Sequence, residues 1–267
     1  MITFLYPNST RGPRMERNLT SDAIVLTHRR WGDLHRLVTL LSPDLGIFEA
    51  VAYGARKGKL AGGIEIGTLG TVYLYHNRTR GDYTLVDVDP EHTVERIRDD
   101  LPRLYTAQTM TEMALRMHGG DFEQLYRELG SALILLESGE ADPRLILIQY
   151  IWRFISIMGL ESELASCPIC SNEYGEQEIL SFNTGLHTPC CARCGDVDST
   201  SYELALGPGA RRYLTLTRTL DVQEAVSVQL SETAAIRLGR YMIRYVTNIL
   251  GGPLKTLSGG VLMEVLM

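Results

Sequence analysis

The chain has 267 residues, which is long for one small domain and predicts two or three folded units. Its apolar fraction of 45% and charged fraction of 22% are those of a globular protein, and no apolar run reaches the roughly 18 residues of a transmembrane helix. We therefore expect no membrane association. The net charge of −6 does not by itself favour a nucleic-acid partner, so the position of the basic residues matters more than their number.

The first residues are set apart from the rest of the chain. They lack the basic start and the long apolar stretch of a secretory signal, and a second methionine follows at Met15. We expect residues 1–14 to be a disordered leader outside the fold, which reflects the choice of start site.

Five short β-strands are predicted between residues 21 and 90. Each is an apolar or β-branched run next to turn residues, as at Ser42-Pro43-Asp44. No interval holds a helix long enough for a crossover, which favours a small closed antiparallel barrel of the five-stranded oligonucleotide-binding (OB) type. The first predicted strand begins with Ala23–Leu26, and the other four are Arg36–Leu41, Ile47–Tyr53, Thr71–Tyr75 and Tyr83–Val88.

The predicted barrel is the cationic part of an acidic chain. Between Arg29 and Arg80, eight basic residues stand against four acidic ones, and the glycine-rich loop at residues 54–63 carries three of the eight. Single-strand binding requires charge that follows a phosphate backbone and rings that stack on bases. The alternative, a solvated charged face with tyrosines that fill the barrel, stays open for each position. The aromatic residues interleaved with the charge are Trp31, Tyr53, Tyr73, Tyr75 and Tyr83.

From about Asp99 the apolar period becomes helical. A first helix is predicted to end at Gly119, and Asp121 is the expected N-cap of a second. A third helix opens with Asp142 as its N-cap and Pro143 in its first turn. It is apolar on nearly all sides, which predicts the buried centre of a helical domain.

A last amphipathic helix is predicted from Ser231 to Leu250. Three arginines at spacings of three and four share one of its faces. This face either is solvated or extends a phosphate-binding surface. The three residues are Arg237, Arg240 and Arg244.

All five cysteines lie between residues 167 and 194, and they form two C-x-x-C pairs at a separation typical of zinc sites. Four thiolates complete a tetrahedral sphere, so the predicted zinc is structural. A pair of disulfides is the alternative, although nothing in the sequence indicates an oxidising compartment. Cys191 is preferred to Cys190 because it gives the two-residue spacing to Cys194; Cys190 and His187 stay open as alternative ligands. The predicted ligands are Cys167, Cys170, Cys191 and Cys194.

These parts, in this order, resemble the bacterial RecO family of DNA repair and recombination mediators. The resemblance covers about residues 20–258. The chain departs from the family pattern in its doubled cysteine and in the scarcity of glycine between residues 171 and 189. The strings that match are Ala23–Leu26, Leu37–Leu41, Ala52–Lys57, Asp142–Leu145, Met158–Leu160, Cys167–Cys170 and Leu254–Leu257.

The resemblance implies an α+β protein of several domains. An N-terminal five-stranded OB-type barrel would occupy residues 15–98. An α-helical domain would follow at residues 99–160 and 201–267, with the four-cysteine zinc module at residues 161–200 inserted into it.

The resemblance further implies a cytoplasmic, nucleoid-associated protein that is not an enzyme. Such proteins bind single- and double-stranded DNA and anneal complementary strands. With the partner RecR they help load the RecA recombinase onto DNA coated by single-strand-binding protein, whose C-terminal tail they bind. The expected DNA contacts are first Arg36, Arg56, Lys57 and Lys59, and second Arg29, Arg30, Arg78 and Arg80.

Two other classes of function stay open at the level of the sequence. A zinc-stabilised RNA-binding or ribosome-associated factor would use the same barrel chemistry. A zinc enzyme would need an open coordination position, which four cysteines do not leave. We expect no catalytic residue, because the six histidines show neither triad nor metal-ligand spacing.

Overall fold

The computed structural model describes residues 18–56, 59–195 and 205–257, so the predicted leader at residues 1–14 lies outside the described part of the chain. The N-terminal part is a closed barrel of five strands in the order β1-β2-β3-β5-β4, which confirms the predicted OB-type barrel. The strands are β1 (Asn18–Trp31), β2 (His35–Ser42), β3 (Gly46–Ala52), β4 (Leu69–Asn77) and β5 (Asp82–His92).

The barrel closes through two pairings that join distant parts of the sequence. β1 pairs with β4 in antiparallel register, with Ile24 opposite Leu69, whereas β3 and β5 pair in parallel, with Ala50 opposite Tyr83. The prediction of a wholly antiparallel barrel was therefore wrong at the β3–β5 pair. After β3 the chain crosses to the far side of the barrel, where β4 pairs with β1. β5 then returns antiparallel to β4 and lies beside β3, so β3 and β5 run in the same direction.

Alternation along the strands separates the barrel core from its outer surface. Successive residues point to opposite faces of a strand, and the inward positions are apolar and fully buried. A close backbone approach also fixes one residue type: a Cβ at Gly70 would lie 2.2 Å from the Asp89 carbonyl oxygen. The buried core of the barrel consists of Ala23, Val25, Val38, Leu40, Ala50, Ala52, Ala55, Ile64, Val72, Leu74 and Leu85.

Helices follow the barrel, and polar caps define where several of them begin. Asp121, Asp142 and Ser231 each accept a backbone N–H at a helix start, as predicted, and Asp100 does the same for α2. The helices are α1 (Glu95–Asp99), α2 (Leu101–Leu115), α3 (Phe122–Ser138), α4 (Pro143–Ile157), α5 (Pro208–Thr217), α6 (Val222–Ser227) and α7 (Glu232–Ile249).

Helix α4 is the centre of the helical part and packs against α2, α3, α6 and α7. Ten of its fifteen residues are buried, in agreement with its apolar sequence. α3 also contacts the barrel, because Gly130 lets the helix approach Leu69 and Ile24 closely. One hydrophobic core therefore spans the helices and includes Ile24, Leu26, Leu41 and Leu69 of the barrel.

A small module lies between α4 and α5 in the sequence. It contains the two-stranded sheet of β6 (Ser181–Asn183) and β7 (Thr188–Cys190). Phe182 is fully buried and makes edge-to-face contacts with Tyr241 and Tyr245 of α7, so the module is packed onto the helical core. Across the described ranges, no helix combines the length and the apolar character that a membrane crossing requires.

Candidate metal centre and nucleic-acid interface

Four cysteine sulfurs converge at the tip of the module. The Sγ atoms of the predicted set all lie within 4.8 Å of one another. Each pair sits in a tight turn: the Ser171 N–H donates to the Cys167 carbonyl at 2.8 Å, and the Cys194 N–H donates to the Cys191 carbonyl at 3.0 Å. The residues that meet are Cys167, Cys170, Cys191 and Cys194.

The spacing of the sulfurs fits a tetrahedral metal. Two thiolates that bind one zinc ion at about 2.3 Å lie about 3.8 Å apart. The Cys170 and Cys191 sulfurs are 3.7 Å apart, which is far longer than a disulfide bond of about 2.05 Å. All five cysteines carry free thiols, so the structure favours the metal over the disulfide alternative.

The thiols influence one another's ionisation. Burial raises the pKa of the Cys167 thiol, but hydrogen bonds from the backbone N–H groups of Cys191, Cys170 and Ile169 outweigh burial and lower the pKa to about 6. Desolvation and hydrogen bonds from neighbouring thiols raise the pKa of Cys194 to about 12. Four adjacent thiolates would repel one another, so all four can ionise together only when a cation lies among them. This dependence on a cation is typical of a set of metal ligands.

The two alternative ligands lie outside this set of sulfurs. Cys190 is fully buried as the last residue of β7, whereas Cys191 turns towards the other thiols. The ring of His187 forms a hydrogen bond with the Asn248 side chain of α7. The geometry therefore agrees with the spacing argument that selected Cys191.

The candidate DNA-contact residues divide between two faces of the barrel. On the outer face, the Arg29 guanidinium lies 5.3 Å from the centre of the Trp31 ring, and Trp31 pairs with His35 across the β1–β2 hairpin. The His35 ring in turn meets Tyr53 with ring centres 4.9 Å apart. We call these four residues, Arg29, Trp31, His35 and Tyr53, the aromatic ridge.

Arg36 lies on the other face of its strand. It pairs with the buried Ala52, and its Nη1 is 3.0 Å from His28 Nε2 at the end of the barrel interior. Burial lowers the pKa of His28, and the charge of Arg36 lowers it further, so His28 stays neutral and can accept this hydrogen bond. Arg30 stands opposite Arg36 and is exposed.

The basic loop after β3 supports the ridge. The Arg56 side chain donates to the Asp33 carbonyl at 2.6 Å, and its backbone N–H donates to the Leu34 carbonyl at 3.3 Å. Arg56 therefore ties this loop to the β1–β2 turn. Lys57 lies outside the described residues, and Lys59 begins a short 3₁₀ turn without a described side chain.

The other two predicted arginines lie in the β4–β5 turn. Arg80 forms an ion pair with Asp82 at 3.1 Å, and Arg78 is exposed. In OB-type barrels the β1–β2 and β4–β5 loops flank the surface that binds oligonucleotides. The described arginines of the predicted set thus lie at or near these two loops and the loop after β3, with Arg36 turned inward.

The tyrosines do not act as one group. Tyr83 packs against the barrel core and stacks on His76, with ring centres 4.7 Å apart. Tyr73 is exposed, but it pairs with Thr20 at the opposite end of β1 from Trp31. Of the predicted aromatics, only Trp31 and Tyr53 belong to the ridge.

Sequence reasoning did not assign a role to His35. Its Nδ1 accepts the Gly54 N–H at 3.0 Å and so links β2 to the loop after β3. The signal in the sequence was its place across a short turn from Trp31, which becomes informative only when the hairpin register is known. The three arginines of α7 are exposed, which fits both a solvated face and a phosphate-binding surface; they are Arg237, Arg240 and Arg244.

The fold and the two sites define an OB-type barrel protein with an appended helical unit and a four-cysteine module. Family comparison agrees with this class: the Recombination protein O N-terminal model matches residues 15–93, and the Recombination protein O C-terminal model matches residues 98–258. The chain belongs to the Recombination protein O (RecO) family.

Curated relatives carry the name DNA repair protein RecO. The Symbiobacterium thermophilum protein is 28% identical over 232 residues, which are 84% of this chain and 89% of the relative. The Bacillus pumilus protein is 26% identical over 248 residues, 89% of this chain and 91% of the relative. The Synechococcus elongatus protein is 35% identical over 162 residues, 57% of this chain and 59% of the relative.

Proposed function

We propose that this protein is a DNA-binding recombination mediator in bacterial DNA repair. In this proposal it anneals complementary strands and, with RecR, helps load RecA onto DNA coated by single-strand-binding protein. Membership of the RecO family and the DNA repair names of its relatives support the role. The observation that carries it is the set of arginines around the barrel surface where OB-type proteins bind oligonucleotides.

The physical mechanism is neutralisation of phosphate charge. Two complementary strands repel each other, and a cationic surface that binds both lowers this repulsion so that base pairing can proceed. Arginine suits the task, since its planar fork contacts phosphate in two places. Pairing needs no nucleophile or general base, and the protein acts without a catalytic residue in this scheme.

We assign the four-cysteine cluster to a structural zinc ion. The donor set is all thiolate, and the Cys170 and Cys191 sulfurs are spaced as zinc ligands are. When bound, zinc would supply cross-linking of the two turns and no reactive position. Cys167 and Cys170 would hold it from one turn, and Cys191 and Cys194 from the other.

Annealing of two labelled complementary oligonucleotides over a salt series tests the DNA function. The wild-type protein should accelerate annealing, and added salt should remove the effect. The double variant Arg30→Glu, Arg78→Glu should anneal more slowly. The slope of its log binding constant against log salt concentration should be shallower by about 0.7 for each phosphate contact removed. Neither side chain forms an ion pair with another described residue, so the fold should survive.

Arg127→Glu, which replaces an exposed arginine of α3, is the matched control and should anneal like the wild type. Unchanged annealing in the folded double variant would place the DNA site elsewhere. Failure of the wild-type protein to bind either strand would remove the DNA function. Competition with RNA of the same sequence separates a DNA mediator from an RNA-binding factor, since only the latter should prefer RNA.

A cavity of about 380 Å³ between α5 and the cysteine module suits the C-terminal tail of the coat protein. Trp152 and Leu164 provide an apolar floor, while Arg212 and Arg218 stand at the cavity wall. Arg211 also lines it, and its buried Nη1 has no hydrogen-bond partner among the described groups. A chain end brings a carboxylate, which a guanidinium binds well.

Titration with a synthetic peptide of that tail tests the assignment. Arg212 is exposed and carries no structural hydrogen bond among the described residues, so Arg212→Glu should fold normally. Loss of a charge-assisted contact should weaken peptide binding about tenfold or more, while Arg237→Glu should bind like the wild type. Equal peptide affinity in both variants would exclude this cavity as the tail site.

A further inference from the structure

Two large aromatic side chains of the aromatic ridge are exposed without a covering segment in the described structure. Trp31 is 44% exposed and Tyr53 is 53% exposed, whereas the other tryptophan, Trp152, is 4% exposed. Burial of a large aromatic side chain normally stabilises a fold, so two neighbouring exposed rings indicate a surface with a ligand.

The ridge is held in place before any ligand arrives. The Gly54 N–H donates to His35 Nδ1 at 3.0 Å and so fixes the plane of the imidazole ring. The His35 ring then meets the Tyr53 ring edge-on, at 72° between planes. Arg29 lies over one side of the Trp31 ring, and the indole remains 44% exposed.

The charge around the ridge identifies the occupant. Arg29 is exposed on the same face of the strand as Trp31, and Arg56 lies at the same turn, whereas Arg30 points to the other face with Arg36. Two acidic residues lie nearby: Asp33 is exposed in the turn, and Glu49 is 4.0 Å from Arg29 in an exposed and therefore weak contact. Flat rings flanked by guanidinium groups complement a strand of flat bases linked by phosphates.

We propose that Trp31 and Tyr53 stack on unpaired bases, while the neighbouring arginines contact the phosphates. The inference rests on the proposed DNA function and names the part of the substrate that this surface recognises. Every base has a stacking face, so the contact is independent of sequence. A stacked base contributes about 5- to 150-fold to single-strand affinity.

Stacking on the ridge distinguishes the substrate of annealing from its product. A base inside a duplex is stacked on its neighbours and cannot lie on Trp31 or Tyr53. The ridge therefore holds single strands and loses its contact as they pair, whereas phosphate contacts persist. Release of the duplex follows from this difference in affinity.

Intrinsic fluorescence reads the contact directly, because Trp31 and the buried Trp152 are the two tryptophans of the chain. Titration with a 20-nucleotide poly-dT strand should quench the Trp31 signal. An abasic strand of the same length keeps the phosphates without the bases and should quench it much less. Trp31→Phe, which retains a ring, should remove the quenching and keep most of the affinity.

Affinity measurements complete the test. Trp31→Ala should bind poly-dT at least fivefold more weakly and bind duplex DNA like the wild type, with an unchanged salt slope. Tyr73→Ala removes an equally exposed ring at the opposite end of β1 and should behave like the wild type. Circular dichroism and a thermal melt establish that each variant is folded.

The outcomes separate the two proposals. Binding of poly-dT and the abasic strand with equal affinity, unchanged by Trp31→Ala, would overturn the stacking role and leave the DNA function intact. Absence of binding to every strand in the wild-type protein would overturn the DNA function itself. A fall in affinity for single strand and duplex alike in Trp31→Ala would also contradict the inference.

Discussion

At the scale of single residues, the doubled cysteine shows how adjacent identical side chains acquire different environments. Cys190 ends β7 and is fully buried, whereas Cys191 faces the other three thiols. The alternation of a strand accounts for the difference, since neighbouring residues point to opposite sides. Spacing along the sequence selected the same residue, because a C-x-x-C turn brings two sulfurs together only at that separation.

The two kinds of cysteine should respond differently to substitution. Cys170→Ser removes a sulfur of the cluster and should lower the zinc content of purified protein well below one ion per chain. If zinc contributes about 2 kcal/mol of net stability, the Tm should fall by about 4–8 °C. Metal analysis together with a thermal melt measures both effects, and treatment of the wild-type protein with a chelator should reproduce them.

Cys190→Ala is the matched control. It removes a buried sulfur outside the cluster, so the zinc content should stay at one ion per chain although packing is slightly weakened. An unchanged zinc content and Tm in Cys170→Ser would contradict the structural role of the site, and loss of zinc in Cys190→Ala would contradict the choice of ligand.

At the scale of elements, the sequence indicated where the strands lie but not how long they are. The apolar run Ala23–Leu26 was predicted to begin the first strand, whereas β1 already begins at Asn18 and extends to Trp31. Its polar second half, including His28 to Arg30, is strand because it pairs with β2 over the whole hairpin. Tertiary pairing, rather than local propensity, sets the length of such a strand.

The helices show the same limit. Helices α2, α3, α4 and α7 carry caps or long apolar patterns, and these signals predicted them. Helix α5 has a polar, threonine- and arginine-rich sequence, and α6 has only six residues, so neither gave a pattern of its own. Both are stabilised by contacts with the buried core, as at Leu214 and Val222, and such contacts lie outside a local sequence window.

The two candidate sites differ in how far sequence could predict them. The cysteine cluster depends on short spacings, so its four members were identified correctly as a group that meets in space. The nucleic-acid surface depends on register. Arg29 and Arg36 are both basic strand residues, yet one joins the outer ridge and the other bonds to His28 on the inner face. That assignment to faces requires the pairing of β1 with β2.

At the scale of the whole molecule, the barrel and the helices are joined by polar contacts as well as by the shared core. The Glu137 carboxylate of α3 accepts the backbone N–H groups of Arg96 and Ile97, each at 2.9 Å, and so caps α1 directly after the barrel. The cationic barrel surface is thereby fixed relative to the helices. The division into units at residues 98, 160 and 200 stays a prediction.

The end of the described chain is bound back onto α2. Glu112 accepts the backbone N–H groups of Lys255 at 2.6 Å and Thr256 at 2.9 Å. Arg116 pairs with Glu112 at 2.9 Å and donates to the carbonyl oxygen of Gly252 at 3.0 Å. This clamp connects residues more than 130 positions apart and fixes the segment after α7 to α2.

The clamp makes stability depend on pH. Burial opposes ionisation of Glu112, but the N–H groups of Lys255 and Thr256, the Thr256 hydroxyl and the charge of Arg116 outweigh it and lower the pKa of Glu112 below its usual value. A carboxyl with a lowered folded-state pKa stabilises the fold above its unfolded pKa of about 4.3 and loses this contribution as pH falls through the folded value.

Glu112→Gln should therefore be less stable than the wild type by about 1–2 kcal/mol at pH 7, because its contacts become neutral hydrogen bonds. This difference in stability should shrink as pH falls below about 4, because the wild-type carboxyl is then protonated and neutral, like the Gln side chain. Urea unfolding at pH 7 and at pH 3.5 measures both quantities. Glu140→Gln, which replaces an exposed carboxylate after α3, should be as stable as the wild type at both pH values. A deficit of equal size at the two pH values would show that shape, rather than charge, makes Glu112 hold the C-terminal segment.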